Sequence, residues 1–166
     1  MLPSIDLRLK NMVKAVQDVI APAIREDEKL AQEQARLLVG QIAMLRYQWK
    51  DAVRYEAGSF RLIRGLAETL VAQVDESQAQ VLQQALDATD GVDELDIDAL
   101  NAAICTLGNA IDTVILGDDG QKPLSAGARA AIIAYGEKDA LRSRVWFQGN
   151  GIDPDREALP PLAEVI

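Results

Sequence analysis

The chain contains no histidine and a single cysteine, Cys105, and this removes the commonest routes to side-chain chemistry. Without imidazole there is no Ser-His or Cys-His nucleophile pair, no HExxH zinc site and no histidine-bearing di-iron bundle site. Cys105 has no histidine to draw off its proton, so it reads as a small core side chain. The acids crowd into Asp87-Ala-Thr-Asp-Gly-Val-Asp-Glu-Leu-Asp-Ile-Asp98, a density that raises the question of calcium. The register answers it: with Gly91 at the sixth loop position, positions 1, 3 and 12 fall on Leu86, Ala88 and Ile97, none with a side-chain oxygen. The segment reads instead as an inter-helix loop whose Asp93 or Asp96 caps the following helix. Asp118-Asp119 is sparser still. No DDxxD or ExxE pair occurs, so the magnesium ligands of prenyl transfer and of helical nucleotide pyrophosphohydrolases are missing. The expectation is no metal and no cofactor.

Residues 46–64 form the one basic stretch, with Arg46, Lys50, Arg54, Arg61 and Arg64 against Asp51 and Glu56. Arg46, Lys50 and Arg54 are spaced by four and share a face of any continuous helix. Tyr47, Trp49, Tyr55 and Phe60 interleave with them. Arginine with aromatics is an interface signature, and arginine forks also hold phosphate or carboxylate. Arg46, Tyr47, Trp49, Lys50, Arg54, Tyr55, Arg61 and Arg64 are therefore the candidate ligand or interface residues. A solvated face whose aromatics pack inward is the plain alternative. A third use is internal. Glu56 falls on the apolar stripe of its helix and Asp112 sits in a nearly charge-free one. Charges so placed are rarely buried unpaired, which makes Asp112 with one of these arginines the expected pair.

The elements that must position these residues are helices. Apolar residues recur at helical spacing throughout the 166 residues, and aromatics are only 4%, so a core would be built from Ala, Leu, Ile and Val. Ser4 can cap a first helix striped by Ile5, Leu9, Met12, Val13, Val16, Val19 and Ile20, with Pro22 kinking it or opening the next. A second helix runs to about Glu56, with Leu30, Leu37, Leu38, Ile42, Leu45, Trp49 and Val53 expected on its buried side. Gly58-Ser59 reads as a break with Ser59 capping a third helix; one unbroken helix over residues 23–74 is the other possibility. Ser77 and Gln80 suggest a capping box for a fourth, which Asp90-Gly91 ends. The fifth, over residues 99–116, has Asp112 as its only charge, and predicts a central helix buried on most sides. Ser125 caps a sixth that ends near Gly149–Gly151. The expected fold is all-α, a single-domain bundle of five to seven helices over residues 1–152. A proline-containing tail, 153–166, is packed on the surface or disordered.

The run Asp18-Val-Ile-Ala-Pro-Ala-Ile24, followed by Leu30-Ala31 and Leu37-Leu38-Val39, resembles the front half of a family of small bacterial all-helical proteins of unknown function. Members are encoded beside acyl-CoA dehydrogenases and aminoglycoside-phosphotransferase-like proteins. The resemblance covers residues 10–70, brings no catalytic residues, and implies a bacterial accessory role near acyl-CoA metabolism.

The net charge of −9 argues against nonspecific nucleic-acid binding. The N-terminus shows no apolar signal core, no stretch approaches the ~18 apolar residues of a membrane span, and a lone cysteine suits a reducing compartment. The expected location is the cytoplasm, with no membrane partner. The leading functional expectation is a non-catalytic interaction protein, a homo-oligomer or an accessory subunit. The first alternative is a module that binds an anionic small molecule, such as an acyl-CoA or nucleotide, through residues 46–64. The second is an enzyme using Asp, Glu, Tyr or Lys.

Overall fold

The computed structural model describes residues 3–117 and 123–166, and among them every regular element is helical. The order is α1 (Ile5–Ala15), α2 (Lys29–Gln48), α3 (Ala52–Val71), α4 (Glu76–Ala88), α5 (Ile97–Leu116) and α6 (Ala126–Trp146), followed by short 3₁₀ turns. The all-α bundle expected from the periodicity is what forms. Several predicted caps are in place. The Ser4 side chain accepts from the Leu7 amide at 3.3 Å, Asp96 from Asp98 and Ala99 at 2.9 and 3.1 Å, and Ser125 from Ala128 at 3.0 Å. The fourth helix starts two residues before the expected capping box: Asp75, not Ser77, is its cap, accepting from Gln78 at 3.0 Å. Asp118-Asp119 lies outside the described residues.

The chain divides into two compact units. The first takes the residues up to Lys50 together with Arg144–Pro161. Its centre is the hairpin of α1 and α2. Past Ala15 the first helix widens into a π turn, Val16–Ile20, and then closes as Ala21–Ala23. Pro22 explains the widening: it has no N–H to give to the carbonyl four residues back, and its ring clashes with that carbonyl. Leu9 from α1, Val16 from the π turn, Ala35 and Met44 from α2, and Val145 and Trp146 are buried. The Gln48 side chain is buried too, and donates to the Trp146 carbonyl at 2.8 Å. Of the rest of the expected buried stripes, Val13, Ile42, Trp49 and Val53 are half-buried, and what remains is out in solvent. Ile5, Met12, Val19, Ile20, Leu30, Leu37, Leu38 and Leu45 are all exposed, from 47% for Met12 to 71% for Leu30.

The second unit, Asp51–Ser143 with Leu162–Ile166, holds the main core. Phe60, Ile63, Leu66 and Leu70 of α3 meet Leu82 and Leu86 of α4 and Leu100, Leu107, Ile111 and Val114 of α5, with Ala128, Ile132 and Tyr135 of α6 closing the set. Two expectations fail here. The helix break is at residues 49–51, and α3 runs straight through Gly58 and Ser59. Ser59 is no cap; its hydroxyl donates to the Tyr55 carbonyl at 3.0 Å. Gly58 is a packing residue, because a Cβ there would lie 2.7 Å from Nη2 of Arg142.

The second failure is α5. It buries one face, and the other, Asn101, Ala102, Cys105, Thr106, Asn109, Asp112 and Thr113, is exposed, so it is not buried on most sides. An uncharged face is not an apolar one. Thr106 and Thr113 satisfy their hydroxyls on the carbonyls of Ala102 and Asn109, both at 2.9 Å, which makes the face cheap to hydrate without charge. Ile97–Leu116 is long and apolar enough by length and composition to cross a membrane, contrary to the reading of the sequence. Its asparagines, threonines and Asp112 nonetheless give it a polar side opposite a face packed into the core.

Candidate functional site

The basic stretch does not lie along one helix. With the chain broken at residues 49–51, Arg46, Tyr47, Trp49 and Lys50 belong to the first unit, and Arg54, Tyr55, Glu56, Arg61 and Arg64 to the second. Each arginine is matched by an acid of its own unit. Arg46 reaches Asp6 through Nε at 2.7 Å and Nη2 at 3.2 Å, Arg54 meets Asp51 at 3.3 Å, and Arg61 meets Glu94. Arg64 spans Glu68 at 3.1 Å and Asp90 at 3.5 Å. Pairs as exposed as most of these contribute little to stability, but they cancel the charge a ligand would have met. Lys50 lies 5.8 Å from the centre of the Trp49 ring.

The internal use of the arginines is also corrected. Asp112 is exposed, and no cation pairs with it among the described residues. Glu56 is half-buried, and burial pushes its carboxyl above the usual range while the charge of Arg142 pulls it back. Arg142 did not stand out in the sequence, where it is one charge among Glu137, Lys138, Asp139 and Arg144. Its Nη2 donates to the Tyr55 carbonyl at 2.8 Å and to the Ser59 hydroxyl at 3.3 Å, Nη1 donates to the Val165 carbonyl, and the guanidinium lies 5.0 Å from the centre of the Tyr55 ring. This is a structural anchor built on backbone carbonyls.

The surface features that ask for a partner lie on the α1–α2 hairpin. A groove of about 480 Å³ is lined by Asp6, Lys10, Val13 and Lys14 of α1 and by Ala43, Arg46 and Tyr47 of α2. At about 100° per residue, these lie on one flank of the buried lines Leu9–Val16 and Ala35–Ile42. Ile5 and Met12, and Leu38 and Leu45, lie on the opposite flank. One side of the hairpin is thus a cation-rimmed groove, and the other is aliphatic. Val19 and Ile20, within the π turn itself, are exposed aliphatic side chains as well. Leu30, Leu37 and Met44, spaced by seven, run down the back of α2. Met44 alone of the three is covered, close to Gly149.

Of the residues singled out from the sequence, only Arg46 and Tyr47 line this groove. Asp6, Lys10 and Lys14 went unnoticed, although the lysines, spaced by four, share a helix face. Trp49 and Tyr55 are half-buried rather than offered to a partner. Among the described residues no three acidic, cysteine or histidine side chains converge as a metal site would require. No protein-family model matches the chain, and comparison with curated proteins and with solved structures likewise gives no match.

Proposed function

We propose that this chain is a non-catalytic interaction protein that self-associates through the aliphatic side of its α1–α2 hairpin. One observation carries the reading: eight aliphatic side chains that the helical pattern marks as core, Ile5, Met12, Val19, Ile20, Leu30, Leu37, Leu38 and Leu45, are exposed. Each keeps between 47% and 71% of its surface in solvent, apolar area that a partner would cover. Scattered exposed leucines are ordinary; a strip this long on one hairpin marks a contact surface.

Three features favour a second copy as the occupant. Ile5 and Met12, Leu30 and Leu37, and Leu38 and Leu45 are each seven apart, the spacing at which one helix keeps facing another. The exposed glutamines Gln34 and Gln41 lie among the leucines of α2, and a carboxamide, both donor and acceptor, pairs with its own kind. The α2 strip 30, 34, 37, 38, 41 and 45 carries no charge in a protein of net charge −9, so like copies meet there without repulsion. Two hairpins so joined make a four-helix arrangement about a two-fold axis, the commonest symmetry of soluble oligomers.

Sedimentation equilibrium at tens of micromolar tests this directly. The wild type is expected at twice the monomer mass. The Leu38→Glu/Leu45→Glu double variant is expected at the monomer mass with an unchanged far-ultraviolet dichroism spectrum. A wild type that remains monomeric across that range overturns the proposal.

A further inference from the structure

We infer that the groove on the opposite side of the hairpin binds a small phosphate ester, its phosphate at the cationic rim and its organic part on the groove floor. This is independent of self-association, since the groove and the aliphatic strip lie on different flanks. The rim holds Lys10, Lys14 and Arg46 against one carboxylate, Asp6. Asp6 occupies Arg46 through two bonds, which fixes the guanidinium at the edge of the groove. Lys10 and Lys14 have no acid partner among the described residues. The Asp6 carboxyl is held below its ordinary value chiefly by the Arg46 hydrogen bond, against the effect of burial, with smaller help from the charges of Arg46, Lys50 and Lys10. In so acidic a chain, unpaired cations gathered around one opening are the place where a soluble anion is concentrated.

The floor narrows the chemistry. Val13, Ala43 and the half-exposed Tyr47 ring offer apolar contact and one aromatic face. Lysine ammonium groups act as point charges suited to the several oxygens of a phosphate. A volume near 480 Å³ is within the range of ligand sites and admits a mononucleotide. A planar ring lying on Tyr47 with its phosphates reaching Lys10 and Lys14 uses both halves of the groove, whereas inorganic phosphate uses only the rim.

Amide chemical shifts followed at constant ionic strength test this, with pyrophosphate and adenosine 5′-diphosphate as probes. Both are expected to shift Lys10, Lys14, Ala43 and Tyr47 saturably, with the nucleotide binding at least tenfold more tightly. Lys10→Gln/Lys14→Gln is expected to weaken both at least tenfold, and Arg54→Gln, in the other unit, to change neither. The inference is overturned by shifts that chloride reproduces at equal ionic strength, or by equal affinity for the two probes. It is also overturned by co-sedimentation with vesicles containing phosphatidic acid that the nucleotide does not displace, which would assign the phosphate to a lipid headgroup.

Discussion

Gly58 and Gly65 lie two turns apart in α3, and replacing each by alanine is expected to change stability in opposite directions. A glycine inside a helix costs about 1 kcal/mol relative to alanine, because more backbone freedom is lost on folding. At Gly65 a Cβ meets nothing within 4 Å, so Gly65→Ala is expected to stabilise the protein by roughly that amount. At Gly58 the same Cβ would lie 2.7 Å from Nη2, 2.9 Å from Nη1 and 3.1 Å from Cζ of Arg142. Ordinary contact is about 3.5 Å or more, so the guanidinium must withdraw by nearly 1 Å. It is not free to do so. The move stretches its bonds to Tyr55, Ser59 and Val165, and a hydrogen bond from a charged donor contributes about 1.5–3 kcal/mol. Losing one or two of these outweighs the helix gain, leaving Gly58→Ala about 1–3 kcal/mol less stable than the wild type. Urea unfolding read as a midpoint shift at constant slope measures both variants. In an Arg142→Met background the penalty at position 58 should vanish, and a double-mutant cycle isolates that coupling. If Gly58→Ala proves as stabilising as Gly65→Ala, Arg142 is a loose side chain and the account of α3 running through Gly58 is wrong.

Two further expectations follow from the corrected charges. Asp112→Asn should leave stability within about 0.5 kcal/mol of the wild type, as for any exposed group without a partner; a loss of several kcal/mol on denaturation would mean a buried pair after all. Glu56 has a folded-state pKa raised above 4.5, so its burden on stability is present at neutral pH and is relieved as pH falls through that raised value. Glu56→Gln should therefore melt above the wild type at pH 7, with the advantage fading below about pH 4. A variant that melts lower at pH 7 would show that attraction to Arg142 exceeds the cost of burial.

The helical class and most caps were legible because they depend on local chemistry: the period of Leu and Ile, and a side-chain oxygen at Ser4, Asp96 or Ser125. The aliphatic strip was legible as apolar but not as exposed. Periodicity marks Leu30, Leu37, Leu38 and Leu45 as wanting cover, and it is the same whether the cover comes from this chain or from another copy. Gly58 misled for a similar reason, since one residue type serves both to break a helix and to let a guanidinium approach it. The break at residues 49–51 has no glycine or proline to announce it. The groove was half legible: Arg46 and Tyr47 stood out among neighbouring arginines and aromatics, while Asp6, Lys10 and Lys14 acquire meaning only once α1 lies beside α2.

The path of the chain through its two units bears on how the protein is made. It completes α2 before starting the second unit, returns to the first at Arg144, and then adds Leu162–Ile166 to the second. Neither unit is a contiguous stretch. During synthesis the hairpin waits for Val145 and Trp146, which supply two of its few buried side chains, and for the Trp146 carbonyl that accepts the Gln48 bond. The second unit waits longer, for buried Leu162 and for the Val165 carbonyl that Arg142 holds. The final steps of folding of both units are therefore deferred until the stretch from Arg144 to Ile166 has been made, and the first unit cannot be completed before the second is begun. A cut after residue 143 therefore leaves both units unfinished, whereas a cut after residue 50 strands only the first.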